Sequence, residues 1–363
     1  MTTSNLPAHV NVELGQASYP IYIGQHLLSD AAQLWKRHIV GQQVLIVSSS
    51  VIAAHYLSEL EASLADYQIA TFFLQEGEAY KTLTSFSQIL DRLTQLKFNR
   101  QSTLLALGGG VIGDVTGFAA SCYLRGVNFI QIPTSLLAQV DASVGGKTGV
   151  NHALGKNLIG TFHQPRCVVI DTHTLQTLPE RELRAGLAEV VKHALIADAA
   201  YLDDIEQHHD LLLARDSSTL VRIIQRSCEI KAAIVGADER EVSGQRALLN
   251  FGHTFAHALE TVTEYQSLLH GEAVAIGMIC ALRLSQQLGY INAAAVERIT
   301  QLLTKFDLPV RLPQDIVQAQ LLELMQHDKK ARDQGLQFVV LEQIGHAVLR
   351  ADITPQQVAQ TFS

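Results

Sequence analysis

The strongest constraint on this chain is the alternation, through its first half, of short apolar runs with stretches of helical period. Val44-Leu45-Ile46-Val47, Ala70-Thr71-Phe72-Phe73-Leu74, Thr103-Leu104-Leu105-Ala106-Leu107 and Phe129-Ile130-Gln131-Ile132 read as strands, and 82–96 between two of them reads as a helix. Strand and helix in alternation imply a mostly parallel sheet. Cys167-Val168-Val169-Ile170 is its last buried strand. Ahead of the first run, 9–14 and 18–23 roughly alternate around Gly15 and predict a small hairpin or strand pair.

Beyond Pro179 the texture changes to long amphipathic segments. Helices are expected over 180–196, 220–234, 247–262, 271–288 and 293–305, with Pro309 and Pro313 breaking later ones. A short β-element, 337–341 with 347–349, precedes a last helix from Pro355. The expected organisation is an α/β domain over 1–179 and an α-helical domain over 180–363. At 363 residues, 47% hydrophobic and 17% charged, the chain has enough apolar content for two cores.

The formal net charge of −8 argues against a nucleic-acid binder, which carries a basic surplus. Residues 1–30 show neither a signal-peptide pattern nor a membrane-length apolar run, so no membrane association is expected. Cys122, Cys167, Cys228 and Cys280 are widely spaced and form no CxxC pair, which suits a reducing cytoplasm.

Two glycine-rich segments point to phosphate. Gly108-Gly109-Gly110-Val111-Ile112-Gly113-Asp114 follows a strand and opens a helix, aiming backbone N–H groups and the positive helix end at one spot. A tight strand-to-helix connection is the competing explanation. Asp141-Ala142-Ser143-Val144-Gly145-Gly146-Lys147-Thr148-Gly149 adds a lysine and two hydroxyls, but has Asp141 where the GxxxxGK(S/T) phosphate loop needs glycine, so ATP hydrolysis is disfavoured. Lys147, Lys156 and Asn157 are left to contact a phosphate or carboxylate, unless the lysines are simply solvated.

The helical half carries metal-ligand types. His253 and His257 lie one turn apart on one helix face, and His270 comes after a short break. Glu189, mid-helix in the apolar run 187–191, is a candidate carboxylate ligand because a lone charge is costly to bury there. An intrahelical pair with Lys192 is the alternative. The glutamate that a zinc protease of the HExxH type needs after its first histidine is missing, so peptidase chemistry is disfavoured. Lys231, Arg246, Asn250, Lys329 and Lys330 are suited to an anionic ligand beside the metal.

Taken together, 76–81, 108–114, 133–141, 145–149, 155–157, 184–192, 250–254 and 270–273 closely resemble the 3-dehydroquinate synthase family, in order and over most of the chain. The resemblance implies a Rossmann-like NAD-binding domain, an α-helical domain carrying Zn²⁺ or Co²⁺, catalysis between them, and a homodimer. It implies Glu189, His253 and His270 as metal ligands, leaving His257 to the substrate, where spacing alone pairs His253 with His257. It places Glu76, Gly77, Glu78, Ala79, Tyr80, Lys81, Gly110, Val111, Ile112, Gly113, Asp114, Thr134, Ser135, Lys147, Lys156, Thr174, Leu175, Gln176 and Thr177 around NAD. It assigns the substrate to Asp141, Lys147, Asn157, Lys192, Lys231, Arg246, Asn250, His257 and one or both of Lys329 and Lys330, with Arg125 reaching across a dimer interface.

The implied reaction converts a phosphorylated sugar acid, 3-deoxy-D-arabino-heptulosonate 7-phosphate, to 3-dehydroquinate and phosphate in aromatic amino-acid biosynthesis, without net redox change. The alternatives are another sugar phosphate cyclase, or an NAD- and metal-dependent polyol dehydrogenase. Two departures stand out. Ser48-Ser49-Ser50 follows the strand where an acidic or amide side chain often holds the adenine-side ribose, and Ala256 stands where the family pattern suggests glycine.

Overall fold

The computed structural model describes residues 7–29, 32–263, 267–314, 316–330 and 337–362, with the side chains of 326–330 outside that description. The chain divides into two compact units, Met1–Leu178 with Leu220–Gly236, and Pro179–Thr219 with Ala237–Ser363.

The first unit is built in chain order from β1 (Ala8–Val12), β2 (Tyr19–Gly24), α1 (Ala32–Lys36), β3 (Gln43–Ser49), α2 (Ser50–Ser63), β4 (Gln68–Leu74), α3 (Leu83–Gln95), β5 (Thr103–Gly108), α4 (Gly110–Cys122), β6 (Asn128–Pro133), β7 (Lys147–His152), β8 (Gly155–Phe162) and β9 (Val168–Asp171). Seven strands form one sheet in the order β1-β2-β9-β6-β5-β3-β4. Within this sheet only the β1–β2 pair is antiparallel. Val44, Ile46, Leu105, Leu107, Ile130 and Ile132 face one core with Trp35, Tyr56 and Leu60 of α1 and α2. Their neighbours Leu45, Val47, Leu104, Ala106 and Phe129 face the other, with Ile89 and Leu93 of α3 and Val115 and Phe118 of α4. Both faces are covered by helices, which is why these strands read as unbroken apolar runs.

From β3 the chain steps outward to β4, then returns to lay β5 on the opposite side of β3. The carboxyl ends of β3 and β5 therefore flank a topological switch point, the place where open α/β sheets bind ligands. The segment 145–162, which in sequence reads only as a glycine-rich turn and its sequel, is instead a separate antiparallel hairpin of β7 and β8. Gly145 and Gly146, at φ of 103° and 66°, make the turn before it.

The second unit contains α5 (Glu180–Ala197), α6 (Ala199–Gln207), α7 (His209–Leu213), the ends of α8 (Ser217–Ala237), α9 (His253–Val262), α10 (His270–Gln287), α11 (Ala293–Lys305), α12 (Gln318–Lys330), the antiparallel pair β10 (Phe338–Gln343) and β11 (His346–Arg350), and α13 (Pro355–Ala359). Helices α5 and α10 are mostly buried and pack on one another, and α9 packs on α10. The Ser285 hydroxyl of α10 accepts the Leu341 N–H at 2.9 Å, fixing β10 to that helix.

Two expectations need correction. The single helix over 247–262 is a 3₁₀ turn, Arg246–Asn250, followed by α9, because Gly252 sits at φ 79°. A Cβ there would lie 2.7 Å from the Met278 backbone nitrogen, so the break is imposed by the approach of α10. The central part of α8, Leu220–Gly236, belongs to the first unit rather than to the body that begins near 180. Its Lys231 ammonium donates to Asp141 Oδ1 at 2.6 Å, and the Cys228 thiol donates to the Gln139 carbonyl at 3.5 Å.

Candidate active site

In the first unit the polar residues gather at the carboxyl ends of the strands. Helix α4 starts immediately after β5 with Gly109 as its N-cap, leaving the first-turn N–H groups without intrahelical acceptors. A Cβ on Gly110 would stand 3.2 Å from Ala142 Cβ, and one on Gly113 would stand 2.7 Å from Gln131 Oε1 on β6. Glycine thus keeps the helix start close to the sheet and its backbone open to an approaching anion, the requirement of a pyrophosphate. Thr134 N–H donates to the Gly108 carbonyl at 3.0 Å, and Ser135 Oγ accepts from Ala138 N–H at 3.3 Å, so this pair abuts the same turn. Val111 and Ile112 pack into the core beneath it.

Ser49 ends β3 and caps α2, accepting the Ile52 N–H, while its hydroxyl donates to Glu76 Oε1 at 2.6 Å. The serine run is thereby tied to an acidic side chain just past β4. Tyr56 on α2 donates to the Thr174 carbonyl at 3.1 Å and pairs with the Thr177 hydroxyl, and Gln139 Nε2 reaches Thr174 Oγ1 at 3.1 Å. Leu175 is buried and Gln176 exposed in the same 3₁₀ turn.

A second network joins 76–81 to the β7–β8 hairpin. Lys81 Nζ donates to Asp114 Oδ2 and to Asn157 Oδ1, each at 2.5 Å. Burial opposes the Lys81 charge, but Asp114 and Glu78 beside it hold its pKa above the ordinary lysine value. Asn151, which sequence reasoning missed, donates to Glu78 Oε1 at 2.8 Å and accepts the Asn157 N–H at 2.9 Å. Lys156 Nζ lies 4.0 Å from the same Glu78 oxygen. Gly77, at φ 103°, and the 3₁₀ turn Glu78–Tyr80, which includes Ala79, bring this acidic segment round.

Asp141 sits in a single π turn, Ala138–Ala142, a distortion frequent at functional sites. Lys231 holds its carboxylate. Lys147 opens β7 and is exposed, so it does not stand at a helix N-terminus as a phosphate-loop lysine would. Arg125 is exposed in a 3₁₀ turn, at φ 68°.

In the second unit, Glu189 lies mid-α5, His253 opens α9 and His270 opens α10. One donor atom from each falls within 4.8 Å of the others. His253 Nε2 and His270 Nε2 are both 3.6 Å from Glu189 Oε1. Lys192, one turn along α5, pairs with the other oxygen, Glu189 Oε2, so the intrahelical pair and the convergent histidines coexist on one carboxylate. Glu189 and Lys192 are 0% and 1% exposed, so each depends on its partners.

His253 Nδ1 lies 3.2 Å from the Phe251 carbonyl, a contact that requires the proton on Nδ1 and leaves the Nε2 lone pair facing Glu189. Burial, with Lys192 nearby, pushes its pKa down to about 3, so the ring is neutral at pH 7. His270 is pushed up to about 10, burial being outweighed by bonds to Glu189 and Glu260. Two imidazole nitrogens and one carboxylate oxygen, with Glu189 and His253 buried and His270 partly so, suit zinc or cobalt. His257 stays outside this group, its ring edge-on to His253 with centroids 5.5 Å apart.

Arg246, 2% exposed, donates to the Glu239 carbonyl and lies 3.8 Å from Glu241, and Asn250 closes the same 3₁₀ turn. Lys329 and Lys330 end α12, but their side chains lie outside the described residues. Among the described residues no helix is long and apolar enough to cross a membrane.

Residues 71–185 match the family model of the 3-dehydroquinate synthase N-terminal region, and 186–331 match that of its C-terminal region. The 3-dehydroquinate synthase of Nitrosococcus oceani is 54% identical over 94% of this chain and 94% of its own. The chain belongs to the 3-dehydroquinate synthase family.

Solved structures of other cyclases share the fold of this 3-dehydroquinate synthase family member. A 2-epi-5-epi-valiolone synthase from Streptomyces hygroscopicus subsp. jinggangensis 5008, solved with NAD⁺ and Zn²⁺ bound, is 30% identical, covers 96% of each chain and superposes with a TM-score of 0.87. A 2-deoxy-scyllo-inosose synthase complexed with carbaglucose-6-phosphate, NAD⁺ and Co²⁺ is 26% identical, covers 98% of this chain and 99% of the other, and gives 0.86.

Proposed function

We propose that the chain converts 3-deoxy-D-arabino-heptulosonate 7-phosphate to 3-dehydroquinate and phosphate, using NAD catalytically and a zinc or cobalt ion. The observation that carries this reading is the convergence of Glu189, His253 and His270 in a chain of this family. When bound, the dication supplies Lewis acidity to the hydroxyl being oxidised and NAD supplies a reversible hydride acceptor.

The protein's contribution is orientation and charge. Glu189, His253 and His270 hold the ion, with Lys192 and the Phe251 carbonyl fixing two of them. The α4 N-terminus at Gly110–Asp114 holds the pyrophosphate, with Thr134, Ser135, Lys156 and the turns at 76–81 and 174–177 around the dinucleotide. Arg246, Asn250 and Lys231 hold the substrate carboxylate, while Lys147, Asn157 and His257 hold its phosphate. Asp141, Lys192 and one or both of Lys329 and Lys330 complete the substrate contacts. A phosphate oxygen of the substrate takes the proton from the carbon next to the new ketone, and the cations around it steady the charge that develops. The enzyme works as a cytoplasmic homodimer, with Arg125 reaching the partner's site.

Chelator-treated enzyme is expected to release no phosphate and to recover on addition of Zn²⁺ or Co²⁺. Phosphate release unaffected by complete metal removal would refute the assignment. Lys147→Ala is expected to lose about 10- to 100-fold in kcat/KM, the worth of one charge-assisted contact of roughly 1.5–3 kcal/mol. Lys147 is exposed, so the melting temperature should stay unchanged. Near-native turnover in this variant would remove the lysine from the mechanism.

A further inference from the structure

Glu260 takes no part in the roles assigned to the metal ligands or the substrate contacts, yet it is 3% exposed and aimed at one of the proposed metal ligands. It lies on α9 seven residues after His253, two turns along the same helix face. Its Oε1 is 3.2 Å from His270 Nδ1. The other ring nitrogen, Nε2, is the one that faces Glu189, at 3.6 Å. An ionised carboxylate only accepts, so this contact places a ring proton on Nδ1, and Nε2, turned to Glu189, is the nitrogen left to ligate a cation.

We propose that Glu260 is a positioning residue for the metal centre: by accepting the Nδ1–H of His270 it fixes both the orientation and the tautomer in which Nε2 ligates the cation. The proposal rests on the assignment of Glu189, His253 and His270 as ligands. It also gives the two metal-bearing histidines a common logic. His253 donates Nδ1–H to the Phe251 carbonyl and His270 donates its own to Glu260, so each ring is held at Nδ1 with its Nε2 turned to Glu189. The difference is charge. A carboxylate partner raises the basicity of the imidazole it holds and strengthens it as a ligand, whereas a neutral carbonyl mainly orients. Helix α9 then serves the centre twice, through its own ligand at the first turn and through the residue that sets the ligand on α10. Glu260 stands outside the group of convergent donor atoms, so it acts through His270 and not as a ligand itself.

The test uses the full chain stripped of metal and titrated with Zn²⁺ against a competing chelator, comparing the native protein with Glu260→Ala, Glu260→Gln and His253→Ala. Glu260→Ala is expected to weaken Zn²⁺ binding by about 10- to 100-fold, the usual cost of losing an outer partner of a ligand. Glu260→Gln should recover part of that loss, since its amide oxygen still accepts the Nδ1–H but carries no charge. In the Zn²⁺-loaded native protein, long-range ¹H–¹⁵N spectra should show His270 protonated at Nδ1 and metal-bound at Nε2. A Glu260→Ala affinity within about twofold of native, or a His270 bound through Nδ1, overturns the proposal. If Glu260→Ala fails to fold, the nitrogen assignment in the native protein decides alone. Failure of the native protein to bind Zn²⁺, or native-like binding by His253→Ala, would bring down the ligand assignment itself. Loss in His253→Ala with no loss in Glu260→Ala brings down only the role of Glu260.

Discussion

Glu189→Ala should abolish metal binding, reduce cyclase turnover by at least about a thousandfold and destabilise the fold. The activity loss comes from removing a Lewis acid that contributes several kcal/mol, where roughly 4 kcal/mol corresponds to three decades of rate. The stability loss has a separate origin. Glu189 is completely buried and pairs with Lys192, itself 1% exposed, so truncation leaves an ammonium inside the helical unit without its carboxylate. Breaking a buried pair in this way costs about 3–5 kcal/mol. Metal titration, phosphate release and thermal unfolding of the variant separate the two effects. A variant that binds Zn²⁺ like the native protein would remove Glu189 from the centre.

Gly271→Ala is expected to be the most disruptive single methyl in the helical unit. Gly271 follows His270 in the first turn of α10, and a Cβ there would fall well inside contact distance of the Ala185 carbonyl on α5, with Ala185 Cα at 2.8 Å. The atoms it meets are backbone, so neither rotamer change nor local repacking relieves the clash and the helices must separate. Overpacking of this kind costs about 3 kcal/mol, equivalent to a fall of roughly 6–12 °C in Tm for a body of this size. Because α5 carries Glu189 one turn beyond Ala185, the same separation pulls Glu189 away from His270 and weakens metal binding. Calorimetry and Zn²⁺ titration of the variant check both, and an unchanged Tm would mean that α5 and α10 do not approach so closely.

How much of this was legible in the sequence depends on whether a local pattern carried the information. The parallel strands were readable because burial on both faces leaves no polar position in 44–47 or 103–107 apart from Thr103. The β7–β8 hairpin was not, since Leu154, Leu158 and Phe162 face outward and blur the alternation that marks a strand. The break before His253 was hidden inside an apolar stretch because it is α10, farther along the chain, that forces Gly252 to φ 79°. Likewise, the period of α8 identifies a helix but not the body it joins, which is decided by the contacts of Cys228 and Lys231 with residues near 140.

The convergent group proposed to hold the metal shows the same limit. Spacing sees one helix at a time and therefore pairs His253 with His257, whereas the convergent donors come from three helices, α5, α9 and α10. Resemblance to the family supplied what periodicity lacked. Glu260 had a local signal, an acid seven residues after His253 that directly follows the buried Ala258 and Leu259, but without the fold nothing connected it to His270.

The central claim is that a dinucleotide and a metal serve an elimination and ring closure without being consumed. The most direct measurement incubates metal-loaded enzyme with 3-deoxy-D-arabino-heptulosonate 7-phosphate and catalytic NAD, tracking phosphate, 3-dehydroquinate and NADH in one reaction. Phosphate and 3-dehydroquinate should rise in equal amounts over many turnovers while NADH stays flat. NADH accumulating in step with turnover, with no phosphate released, would contradict the account and make this chain a dehydrogenase.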